Sequence, residues 1–173
     1  MPAITGPALV VAALLALAGA QKLLDPTMTV GALRALGLPL GPLAVRAGAA
    51  AELVLGVAAI AVGGRVTWWL VAVSYLGLAG FVIAALRKGT MIGSCGCFGR
   101  DETPPHPSHV ALNVVLATVA AAASASSGVV LDELVDHPGQ GAVVAIISAA
   151  SLYLLYAAYV DLPRALTAGR ATR

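Results

Sequence analysis

The chain has 173 residues, 60% of them hydrophobic and 10% charged, with a mean hydropathy of +0.93 and a formal net charge of +2. That hydropathy excludes an ordinary soluble domain. So small a net charge, carried by scattered lysines and arginines, leaves no footprint for nucleic acid. Long Ala-, Val- and Leu-rich runs without strand-length alternation favour helices over a barrel, the two forms that satisfy a backbone in a lipid bilayer. The expectation is an all-α integral membrane bundle of five transmembrane helices, or four if the first is removed as a signal peptide.

The first span runs from Thr5 to Leu24 and is apolar apart from Gln21 and Lys22. It is close to the roughly 20 residues that cross a bilayer. Ala18-Gly19-Ala20 resembles a signal-peptidase site, but no basic residue precedes the apolar run and Lys22 follows it directly. Asp25-Pro26 ends this helix, and Thr27 to Leu38 reads as a short amphipathic segment lying along the interface. The second span, Leu43 to Val62, carries Arg46 near its start and Glu52 well inside. Gly63-Gly64-Arg65 turns into the third span, Val66 to Leu86, whose first turn holds Trp68 and Trp69, placed for the headgroup level.

Gly89 to Pro107 follows, a loop broken by glycine and proline that holds Cys95 and Cys97, the only two cysteines of the chain. Ser108 to Ser127 is the fourth span, with His109 and Asn113 in its first turns and Ser108 placed to cap it. After an acidic loop, Asp132 to His137, the fifth span extends from about Gly141 to Val160, and Asp161-Leu162-Pro163 is expected to stop it. The whole chain, 1–173, is read as a single transmembrane domain.

With five spans, the loops after spans one and three and the C-terminus share one side. Of the ten lysines and arginines only Arg65 falls on the other. The positive-inside rule therefore makes this a multi-pass cell-membrane protein with its cysteine loop on the cytoplasmic side.

Cys95 and Cys97 flank Gly96, between Gly93 and Gly99. A bent pair two residues apart meets the Cα separation of about 4.4 to 6.8 Å that a disulfide needs. Glycine supplies the backbone angles, and a ring so small is easier to reduce than a structural bridge. Redox exchange is thus one reading. A metal site built from both thiolates with His106 and His109 is a second, and a merely structural Gly-rich turn is a third. No cofactor is expected. Arg100, Lys88 and His109 are the candidate thiolate stabilisers.

Glu52 lies about 12 Å deep by helical rise, where an unpaired carboxylate is costly, so it needs a partner or a proton. Lys22, Arg46, His109 and Asn113 fall in the same membrane half. An ion pair between Lys22 and Glu52 clamping spans one and two is the structural alternative, and a proton relay serving the thiols the functional one. His109 and Asn113, four apart on one helix face, serve either interhelical hydrogen bonding or the thiol site. The candidate site is therefore Cys95 and Cys97, supported by Lys22, Glu52, His109 and Asn113.

Cys95-Gly96-Cys97-Phe98-Gly99 resembles the MauE family, methylamine-utilisation membrane proteins related to the DoxX-like group. Lys22-Leu23 with Asp25-Pro26, Glu52-Leu53 with Gly56, and Asn113 after the loop are similar to that family's marks, so the resemblance covers residues 5 to about 120. It implies a membrane protein working beside a thioredoxin-fold partner, in methylamine utilisation for maturation of the disulfide-rich small subunit of methylamine dehydrogenase. A partner maturing exported proteins acts outside, whereas the charge bias puts the cysteines inside. Either electrons cross the membrane through a loop that dips into it, or the partner is cytosolic. The alternative function is a non-catalytic DoxX-like anchor or assembly subunit, and a third is a metal-handling membrane protein.

Overall fold

The computed structural model describes residues 2–88, 105–126 and 128–171, with 162–171 as backbone only. The described residues form helices and their links, with no strand among them. The helices are α1 (Thr5–Leu24), α2 (Thr27–Ala35), α3 (Pro42–Ala61), α4 (Arg65–Lys88), α5 (Pro107–Ala123), α6 (Val130–Asp136) and α7 (Pro138–Ala171). Four of them, α1, α3, α4 and α7, are long and apolar enough to cross a membrane. The 17-residue α5 is apolar too and rises about 25 Å. This is a helical membrane bundle.

Local chemistry sets the helix ends. Gly37, at φ 83°, closes α2 in a Schellman turn, with Leu38 N–H donating to Leu33 O and Gly37 N–H to Arg34 O. Gly63 and Gly64, both at positive φ, make the tight reversal between α3 and α4. Pro42 and Pro107 open α3 and α5, where a missing N–H loses nothing.

Helix α1 is the centre of the bundle. Ala8, Val11, Ala12, Leu14, Leu15 and Ala18 are all buried, packed in one core with Trp68, Val71, Tyr75 and Val82 of α4 and Leu116 and Ala120 of α5. Helix α3 runs antiparallel to α1 at backbone contact. A Cβ on Gly19 would lie 2.5 Å from Ala49 O, and one on Gly56 would lie 2.5 Å from Ala12 O. Small residues at these two places let the helices approach as membrane helices do when packing replaces hydrophobic burial. Trp68 and Trp69 separate: adjacent positions differ by about 100° around a helix, so Trp68 turns into the core and Trp69 outward.

Several boundaries depart from the sequence reading: α5 ends at Ala123 and is capped by His106, the acidic stretch forms α6, α7 begins at Pro138, and the largest departure is at the end of α7. Helix α7 does not stop at Asp161-Leu162-Pro163 but continues to Ala171.

Candidate functional site

Lys22 sits in the last turn of α1, just past Gly19, and Glu52 in the middle of α3, where it forms part of the Gly19 contact. Side chains lean toward the N-terminus of their helix, which brings the ammonium back from the helix end to the carboxylate. Lys22 Nζ meets Glu52 Oε2 at 2.6 Å, with the two side chains 4% and 18% exposed. Of the four groups the sequence offered to Glu52, Lys22 is the one placed against it. Arg46 is exposed on α3, and His109 and Asn113 belong to a second set.

That set joins α5 to α7. His109 and Asn113 are fully buried, and Tyr159 nearly so. The His109 and Tyr159 rings stack at 5.6 Å between centroids. Asn113 Nδ2 donates to His109 O at 2.8 Å, and Tyr159 Oη donates to Asn113 Oδ1 at 3.1 Å. His109 Nε2 donates to Tyr159 O at 2.9 Å, while its Nδ1 accepts from the His106 N–H at 3.3 Å. Both ring nitrogens are engaged, in the tautomer with the proton on Nε2.

The acceptor Tyr159 O lies where α7 continues past Pro163. Pro163 stands four residues later and has no N–H, so this carbonyl lacks its helical donor. A buried carbonyl left alone is costly, above all in lipid. The imidazole replaces the missing amide, and the helix passes through the proline.

Tyr75 was not singled out from sequence, and Tyr159 reads there only as one of three tyrosines of the fifth span, with no part in the site. Tyr75 Oη donates to Val11 O at 2.7 Å and ties α4 to α1. Its signal was a tyrosine in the middle of an apolar span, away from either interface. A cavity of about 10 Å³, room for about one water, is bounded by Leu15, Ala18, Tyr75, Asn113 and Tyr159.

Cys95 and Cys97, with Arg100, lie outside the described residues. Both ends of their loop are held. Lys88, at the end of α4, donates to Leu36 O at the end of α2, where Ala32 and Ala85 pack together. At the other end, His106 caps α5 by accepting from Ser108 N–H at 3.2 Å, and its own N–H is bound by His109. Among the described residues no cluster of three or more His, Cys, Asp or Glu stands ready for a metal. His109 would have to give up a hydrogen bond to become a ligand.

No curated protein and no solved structure matches the chain. The family model described as methylamine utilisation protein MauE matches residues 2–126, which takes in α1 to α5 with the Lys22–Glu52 pair, the cysteine loop, His109 and Asn113. The chain belongs to the MauE family, a family named for methylamine utilisation.

Proposed function

We propose that this protein is a membrane thiol-disulfide exchange protein in which Cys95 and Cys97 cycle between dithiol and disulfide with a thioredoxin-fold partner. In the oxidising direction for this chain, one thiolate attacks a sulfur of the partner's disulfide and forms a mixed disulfide, releasing the partner's other thiolate. The second cysteine then attacks the sulfur of its neighbour, the mixed bond breaks, and two electrons have passed to the partner, which leaves as a dithiol. The reverse sequence oxidises the partner. The observation that carries this reading is the pair itself: the only cysteines of the chain, two apart among three glycines, inside the region matched by the family.

The remaining site residues act as positioning groups. Lys22 and Glu52 lock α1 to α3, and His109 holds both the loop's return into α5 and the contact with α7. Cys95→Ser and Cys97→Ser each abolish exchange and accumulate a mixed disulfide through the surviving thiol, seen as a reducible adduct on a non-reducing gel. Wild-type function in the double serine variant sinks the reading. A membrane-impermeant maleimide, applied to intact cells and to inverted vesicles, tests the cytoplasmic placement of the loop.

A second reading, a non-catalytic anchor or assembly subunit, draws on the extent to which the buried polar groups bind one another. In that case the cysteines are dispensable, while Lys22→Ala or Glu52→Ala removes the protein from the membrane.

A further inference from the structure

Buried polar side chains elsewhere in the bundle are partnered: Lys22, Tyr75, His109, Asn113, Ser124 and Ser148 each hold a hydrogen bond. Trp68 and Thr5 differ. They are 1% and 4% exposed, yet neither the indole N–H nor the threonine hydroxyl has a hydrogen-bond partner among the described residues. A polar group buried in this way is costly, and a buried tryptophan N–H ordinarily finds an acceptor.

Both line one cavity. It lies at the membrane end opposite the cysteine loop, where the starts of α1 and α4 meet α6, and measures about 10 Å³, room for about one water. Ser126, Gly128 and Glu133 complete its polar wall. A Cβ on Gly128 would stand 3.1 Å from Glu133 Oε1, so the tip of that half-buried carboxylate rests on the glycine at the cavity's edge. The carboxylate too has no partner among the described residues. Ser126 Oγ gives its proton to Ala123 O and keeps a lone pair.

The wall therefore offers two donors, Trp68 Nε1–H and Thr5 Oγ–H, and two acceptors, Glu133 Oε1 and Ser126 Oγ. A metal cation is repelled by the indole N–H, which only donates, and an anion by the carboxylate. Water accepts two hydrogen bonds and donates two, which matches the set in number and kind.

We propose that this cavity is a built site for one ordered water, which accepts from Trp68 and Thr5 and donates to Glu133 and Ser126. The molecule ties the first turns of α1 and α4 to α6. Headgroup water, at whose level the start of α4 stands, supplies it. The site is independent of the thiol chemistry.

The test is nuclear magnetic resonance of the full chain in detergent micelles with isotope-labelled tryptophan. Trp69→Phe assigns the two indole signals, and Trp68→Phe does so if that variant misfolds. The Trp68 Nε1–H signal should show a cross-peak to water with opposite signs in the laboratory and rotating frames, which distinguishes a held molecule from hydrogen exchange. Its position should not change when sodium replaces potassium in the buffer. Thr5→Val keeps the shape but removes one partner, and should weaken the cross-peak by up to about fivefold, the effect of one hydrogen bond on the order of 1 kcal/mol. Thr5→Ser should restore it. Glu133→Leu takes the place of Thr5→Val if helicity shows that variant misfolded, with Glu133→Gln, whose amide oxygen still accepts, as the rescue. No cross-peak in the wild type, as a direct bond from the indole to Glu133 would give, a cross-peak that the partner-removing variants leave unaltered, or a signal that follows the cation would overturn the proposal.

Discussion

His109 Nε2 donates to the carbonyl of Tyr159, the one backbone oxygen of α7 whose helical partner would have been the missing N–H of Pro163. A side chain of one helix thereby completes the backbone of another. His109→Leu keeps much of the volume but removes the hydrogen bond which that oxygen accepts from the imidazole, and should lower stability by about 1–3 kcal/mol. Pro163→Ala restores the helical donor. It should stabilise the His109→Leu background far more than the wild type, in a double-mutant cycle read by denaturant titration in detergent. Equal effects in both backgrounds would refute the substitution of imidazole for amide.

Lys22 is buried and Glu52 half-buried, so removing one partner should cost up to the roughly 3–5 kcal/mol typical of a fully buried pair. Lys22→Ala and Glu52→Ala should each lose most of the folded protein. The double variant Lys22→Met, Glu52→Leu should recover much of it, because neither charge is left alone. Thermal stability of detergent-purified protein measures the difference. If the double variant also retains thiol exchange, the pair is a clamp and no proton passes through it.

Gly19→Leu and Gly56→Leu should each separate α1 from α3, since their side chains would enter backbone 2.5 Å away. Gly48→Leu in the same α3 meets nothing within 4 Å and should be tolerated. Yield of monodisperse protein distinguishes the three.

Lys88→Met removes the donor that joins the end of α4 to Leu36 O and should leave the overall fold intact. The start of the cysteine loop is then held less firmly. Reaction of Cys95 and Cys97 with maleimide should quicken several-fold, because local opening no longer breaks this tether. An unaltered rate would mean that the tether does not govern access to the thiols.

Much of the bundle was legible because each apolar run is long and each interruption is made of Gly, Pro or charge. Glu52 announced that it needed a partner, but sequence offered four, and only helix packing through Gly19 and Gly56 selects Lys22. His109 and Asn113 were found together from their spacing. Their connection to Tyr159 was hidden because it crosses 46 to 50 positions of chain. Pro163 was read as a stop by local rules that hold only when nothing else satisfies the freed carbonyl. A histidine near the start of one span and a proline just past the end of another could have signalled the exchange.

The backbone contact of α1 with α3 also carries a consequence for biogenesis. Lys22 stands two residues from the end of its helix and can reach headgroup water while α1 is alone in the bilayer. Glu52 is mid-helix and has no such escape. Insertion of α3 therefore depends on an α1 already in place, so the two helices enter as an ordered pair. Glycosylation mapping of α3 in a chain with α1 replaced by polyleucine would read that order directly, as failure of α3 to integrate that Glu52→Leu reverses.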